Sequence, residues 1–285
     1  MELLQAIRNL DVSVYHFLNG FVGNRFLDRF FSYQESNTLL KCGLLVSIYW
    51  YFWFCGGPDQ ERRRKAIFTI IVGTLLALAI NRVISAVTPF RIRPMFDQAL
   101  EHRPFSIQPI SDLESWSAFP SDHAAYLCAL AFGVAYLSRN LTIPIILYAA
   151  GWICLPRLYL GVHYASDIVV GTAIGVATVW AVLQADWLRS SLASHAIAFM
   201  DAKPHWFYTI AFLIMFEMGD LFWDIRGPVH LLLHSVSEAG PYHQVFRYGL
   251  LLLAALATAM VITFHRKKAG IHRLKERNYG HVRLR

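Results

Sequence analysis

Seven apolar runs divide this chain, each near the length that crosses a lipid bilayer. They cover 42–55, 66–87, 124–137, 141–155, 168–183, 207–223 and 248–264. Backbone polar groups in hydrocarbon must be satisfied inside the segment, so runs of this kind fold as helices. With 56% hydrophobic and only 16% charged residues over 285 positions, an ordinary soluble domain is excluded. The expected fold class is all-α, a polytopic transmembrane helical bundle. Several runs are short as bounded here and extend into flanking Tyr, Trp and Gly. Trp50, Trp53, Trp206 and Trp223 stand near their ends, as interfacial anchors do. The stretch 13–31 is aromatic-rich but interrupted by Asn19, Gly20, Gly23, Asn24 and Arg25. It reads as an interfacial or re-entrant segment, with an eighth crossing as the alternative. Residues 1–12 are mixed and mildly amphipathic and do not read as a cleavable signal, so the first span is expected to direct insertion.

The net charge is +7, and its placement explains it better than nucleic-acid binding does. Arg62, Arg63, Arg64 and Lys65 lie between the first and second runs, Arg139 between the third and fourth, Arg189 and Lys203 between the fifth and sixth. The tail after Phe264 holds eight Lys or Arg against one acid, Glu276. Under a seven-span count these regions share one side, which the positive-inside rule makes cytoplasmic. An integral membrane protein is expected, with its remaining loops facing outward. Cys42, Cys55, Cys128 and Cys154 fall in or beside apolar runs with no CxxC spacing. They read as packing residues rather than a zinc site.

The polar chemistry gathers in three segments on the outward side. Arg157, His163 and Asp167 stand six and then four residues apart; Phe119-Pro120-Ser121-Asp122-His123 lies upstream, and Arg93-Pro94 before that. Four residues on a helix place His163 and Asp167 on one face, where the carboxylate can take a proton from one ring nitrogen. The other nitrogen is then left as a nucleophile or base, although a structural His–Asp bond closing a helix would look the same. Arg157 and Arg93 offer planar forks of donors that match phosphate oxygens. Ser121 adds a hydroxyl, and the N–H groups of Ser121, Asp122 and His123 at a helix start can point at an anion. Together these groups suit phosphoryl transfer.

These segments resemble the three signature motifs of the type 2 phosphatidic acid phosphatase family, which shares its core with vanadium haloperoxidases. The resemblance runs from about Asn81 to Val170. It implies that His163 attacks phosphorus to form a phosphohistidine, that Asp167 orients it, and that His123 protonates the leaving oxygen and then activates water. It implies that Arg93, Arg157 and Ser121 hold the phosphate, with no metal and no cofactor. The family's first motif carries a lysine seven residues before its arginine; here that position is Ala86, with Arg82 or Arg91 as the candidate substitute. Asp122 stands where glycine is commoner, so its carboxylate must point away from the dianion or pair with Arg82 or Arg91. Pro156 replaces a serine. Under this resemblance 1–38 is an N-terminal interfacial segment, 39–188 the transmembrane catalytic core, 189–264 two further transmembrane helices, and 265–285 a basic cytoplasmic tail.

The leading expectation is a membrane lipid phosphatase whose partners are a lipid phosphate or diphosphate and the surrounding membrane lipids. The segment Phe17-Leu18-Asn19-Gly20 is similar to bacterial undecaprenyl pyrophosphate phosphatases of the family. Pro156 is similar to its lipid A phosphotransferases, which makes transfer to another lipid an alternative. A non-catalytic transporter or scaffold is the third reading, supported by Glu217 and Asp220 inside the sixth run. A metal site at His230, His234 and His243 is a remote option.

Overall fold

Helices supply all the regular structure among the described residues, with no strand, as the apolar runs demand. The computed structural model describes residues 2–100 and 113–219, together with 221, 222 and 224. Helix α1 is Glu2–Asn19 and α2 is Arg25–Ser36, whose start is capped by Asn24 Oδ1 accepting from the N–H groups of Phe26 and Leu27. A π-helical turn, Leu39–Gly43, leads into α3, Leu44–Phe54. Helix α4 is Gln60–Val87 and α5 is Asp122–Leu137. The helical stretch Arg139–Tyr159 contains α6, Thr142–Tyr148, a π-helical turn Ala149–Cys154, and α7, Leu155–Tyr159. Helix α8 is Ala165–Gln184, α9 is Ala193–Ala202 and α10 is Pro204–Gly219.

Gln60–Val87, Arg139–Tyr159 and Ala165–Gln184 are long and apolar enough to cross a membrane. Leu39–Phe54 and Asp122–Leu137 are apolar but shorter. The run expected at 207–223 is carried by α10, with Glu217 half-buried there. Asp220, the run at 248–264, the three histidines at 230, 234 and 243, and the basic tail lie outside the described residues.

Helices α4, α5 and α8 pack on one another around Ile67, Ile70, Leu127, Leu130, Val134 and Val179. Glycine sets the closeness of α5 to α8. Gly171 and Gly175 lie one turn apart on α8, and a methyl added at Gly175 would sit 2.0 Å from the Ala125 carbonyl oxygen. Lipid tails are as apolar as leucine, so helices in a bilayer gain from such backbone approach rather than from hydrophobic burial. Tyr49 ties α3 to α5 by donating to the Leu130 carbonyl at 2.7 Å.

The alternating chain direction brings the ends of α4 and α7 together with the starts of α5 and α8. Every motif residue lies at this end of the bundle. Arg62–Lys65 and Arg139 lie at the other. There Arg64 Nε donates to the Trp53 carbonyl, and Arg63 Nη2 to those of Cys55 and Gly56, satisfying the C-terminus of α3. All four cysteines are free thiols; Cys128 and Cys154 lie 3.9 Å apart between α5 and the second π-helical turn.

The N-terminal helices pack against α7 and α8 and bury charge there. Tyr159 donates to Asp28 Oδ1 at 2.6 Å and stacks on Phe31.

Candidate active site

Helix α8 begins where His163 ends its turn. The preceding Gly161 has φ +64°, a left-handed conformation suited to glycine, and its carbonyl accepts from Met95 N–H at 2.9 Å. This bond joins the Arg93 segment to the His163 segment. A second strap, Ala118 N–H to the Arg91 carbonyl at 2.8 Å, joins it to the segment before α5. Three stretches distant in sequence are thereby sewn into one wall.

Asp167 is fully buried and acts first on its own helix: its Oδ2 accepts from Tyr164 N–H at 2.8 Å, one half of a capping box. Its Oδ1 is paired with Arg91. The expected direct hydrogen bond to His163 is not the short one. His163 Nδ1 lies 3.7 Å from Asp167 Oδ2 but 2.7 Å from the Ala118 carbonyl oxygen. A carbonyl only accepts, so Nδ1 carries the proton and Nε2 keeps its lone pair. Nε2 lies 3.4 Å from Arg93 Nη1, a donor, which fits that tautomer. Burial holds the His163 pKa below its ordinary 6.5; the Asp167 carboxylate pulls upward, and the charges of Arg93 and Arg157 push down again.

Arg93 is the junction of the wall. Its Nε donates to the carbonyls of Leu113 and Trp116 and its Nη1 to that of Val162. The expected open fork is thus largely occupied by backbone, and Nη1 is the edge beside His163. Burial lowers its pKa to about 10, still cationic at neutral pH. Arg157 is 1% exposed. Its Nη1 donates to the Ile153 carbonyl at 2.8 Å, both terminal nitrogens reach Glu35 at 3.0 and 3.2 Å, and Nε is buried with no partner among the described residues. On the first turn of α5, burial pushes the His123 pKa well below 6.5, and the charges of Arg157, Lys41, His163 and Arg93 push the same way.

Ser121 is the N-cap of α5: its Oγ accepts from Ala124 N–H at 3.4 Å. Its own N–H donates to the Asp167 carbonyl, so the expected anion cradle of helix N–H groups loses that member. Asp122 pairs with Arg82 and accepts from Asn81 Nδ2 at 2.8 Å; Arg82 also lies 4.5 Å above the Trp116 ring. The pair neutralises the carboxylate that would oppose a dianion, and it engages Arg82. Arg91 is engaged too, between Asp11 and Asp167 and over the Tyr164 ring.

Sequence reasoning missed Lys41, Glu35 and Asp11. Lys41 is buried in the π-helical turn before α3, its Nζ donating to the Glu35 carbonyl at 2.8 Å. Asp11 accepts from the Ser166 N–H and hydroxyl at 2.8 and 2.6 Å. A lone charge at the edge of an apolar run was the available signal. Among the described residues, no group of three or more His, Cys, Asp or Glu is placed to hold a metal ion.

Residues 66–191 match the family model described as PAP2 superfamily. The lipid A 1-phosphatase of Rhizobium johnstonii is 32% identical over 108 residues, 38% of this chain and 41% of that protein. The lipid A 1-phosphatase of Rhizobium etli is 31% identical over 107 residues, 38% of this chain and 43% of its own. The decaprenylphosphoryl-5-phosphoribose phosphatase of Mycobacterium tuberculosis is 33% identical over 128 residues, 45% of this chain and 65% of its own. The chain thus spans less than two thirds of these relatives. No solved structure gives a significant match.

Proposed function

From the premise that residues 66–191 form a PAP2 superfamily domain, we propose that this chain is a membrane phosphatase acting on a lipid-borne phosphate or diphosphate. The observation that carries the reading is the His163 ring: Nδ1 held by the Ala118 carbonyl, Nε2 unprotonated beside Arg93, with His123 and the spare N–H of Arg157 nearby. The Nε2 lone pair attacks phosphorus as the bond to the lipid oxygen breaks, and His123 gives that oxygen its proton. Water then attacks the phosphohistidine, passes a proton to His123, and inorganic phosphate leaves with the P–N bond broken. Arg93 and Arg157 stabilise the charge on the equatorial oxygens, and Asp167 keeps the start of α8 in register behind the ring.

The printed activities of the relatives, on lipid A and on decaprenylphosphoryl-5-phosphoribose, support a lipid-linked phosphate as the substrate class. Undecaprenyl pyrophosphate belongs in the same test. The separation of the basic loops from the motif end of the bundle supports an active site on the outer face, where head groups meet the arginines while tails stay in lipid. The full chain, purified and assayed for phosphate release against a panel of lipid mono- and diphosphates, tests the reading. Running each with and without an acceptor lipid separates hydrolysis from transfer.

The pH dependence has a definite sign. His163 must be neutral to attack, and burial places its pKa below 6.5, so the acid limb of kcat/KM rises below that value. His123 must be protonated, and burial together with the charges of Arg157, Lys41, His163 and Arg93 holds its pKa well below 6.5 as well, so the rate falls again on the alkaline side of an acidic optimum. A bell is expected; a rate climbing steadily into strong base would contradict two imidazoles in these roles. Vanadate, a mimic of five-coordinate phosphorus, is expected to inhibit, and chelators to leave the rate unchanged. Loss of activity in chelator, restored by metal, would overturn the histidine-only chemistry.

A further inference from the structure

We propose that Glu35 is a positioning residue for Arg157 in the phosphate site, contributed by α2 from outside residues 66–191, with Lys41 holding Glu35 in place. The proposal rests on the phosphatase reading above. Glu35 meets both terminal nitrogens of Arg157, at 3.0 and 3.2 Å, while the Ile153 carbonyl takes a further N–H. The guanidinium plane is fixed from two sides. Nε is the nitrogen left as a buried donor without an acceptor among the described residues. Such a group is costly unless something supplies the missing oxygen, and a phosphoryl oxygen is the acceptor that Arg157 chemistry fits.

Glu35 is itself secured. Lys41 Nζ stands 3.8 Å from its Oε1 and donates to its backbone carbonyl. With Lys41 and Arg157 both cationic and both buried, the carboxylate between them keeps two like charges apart in a medium of low dielectric. Two further carboxylates of the N-terminal helices reach the same region. Asp28 accepts from Tyr159, and Asp11 accepts from Ser166 and pairs with Arg91, which also holds Asp167. Three carboxylates from these helices grip the segment that carries Arg157, His163 and Asp167. Apolar contacts alone would dock the helices; buried carboxylates add a fixed orientation of the groups they touch.

The test uses the purified full chain, with phosphatidic acid vesicles for turnover and inorganic vanadate for occupancy. A guanidinium displaced by about 1 Å costs up to roughly a hundredfold. Glu35→Gln is therefore expected to raise both KM and the vanadate inhibition constant by about ten- to a hundredfold, with kcat changing less and the melting temperature held. Glu35→Asp should recover part of the loss. Lys41→Met should act in the same direction but add little on top of Glu35→Gln, because the two act through one guanidinium. Should Glu35→Gln fail to fold, Glu35→Asp and Lys41→Met carry the same comparison. Unchanged KM and vanadate inhibition in a folded variant, or losses that multiply independently, would overturn the proposal. His163→Ala in the same assay keeps the two claims apart. If turnover needs His163 but ignores Glu35, only this inference fails; if turnover ignores His163, the phosphatase reading fails.

Discussion

Replacing His163 with alanine is expected to lower phosphate release by at least about ten-thousand-fold while the protein stays folded. The size follows from where the ring sits. Its Nε2 is an unprotonated nitrogen placed beside Arg93, and the Ala118 carbonyl holds Nδ1 at 2.7 Å on the opposite side. Removing the ring removes the covalent route rather than one stabilising contact. The arginines remain, so substrate and vanadate should still bind within about tenfold. Equal melting temperatures and near-equal vanadate binding, with turnover gone, would establish the ring as the reacting group. Retained turnover would favour the transporter or scaffold reading.

The second large effect concerns folding. Gly175→Leu is expected to prevent assembly of the helical core. Even the first carbon of the new side chain would lie 2.0 Å from the Ala125 carbonyl oxygen and 2.9 Å from its carbon, so backbone must move. Overpacking of this kind costs about 3 kcal/mol or more when no flexible neighbour can yield. Because Asp167 lies in the first turn of α8 and Ser121 caps α5, separation of these helices would also pull the motif segments apart. Gly151→Ala is the control, since an added methyl there meets open space. It should stay within about 0.5 kcal/mol of the parent. Melting in detergent and elution as a single species measure both. A Gly175→Leu protein as stable as the Gly151→Ala one would mean that the α5–α8 approach is looser than described.

The helical class was legible because it follows from a demand on every peptide group in lipid, not from any particular residue. Helix extent was less so. Runs at 42–55 and 124–137 come out as short helices, and π-helical turns at Leu39–Gly43 and Ala149–Cys154 shift the register in ways that leave no mark on an apolar pattern. Within the site, the spacing of His163 and Asp167 read as one helix face, whereas Asp167 lies in the first turn of α8 and His163 in the turn before it, with Arg157 on α7. The spacing could not show that the ring's close partner is the Ala118 carbonyl, since a backbone acceptor has no residue identity to read. Asp122 and Arg82 were weighed as a pair and are one, because both lie at helix ends that meet. Glu35, Lys41 and Asp11 were missed for another reason. Glu35 meets Arg157 across 122 residues and Asp11 meets Ser166 across 155, and no local pattern encodes contacts of that reach.

The most direct measurement is a rapid-quench reaction with a lipid phosphate carrying labelled phosphorus, followed by mapping of the labelled peptide. The account predicts label on His163, stable in base and lost in acid, absent from His163→Ala, and chased into inorganic phosphate at the rate of turnover. Phosphate release that proceeds at full rate with no labelled protein, or with label on another residue, would contradict it.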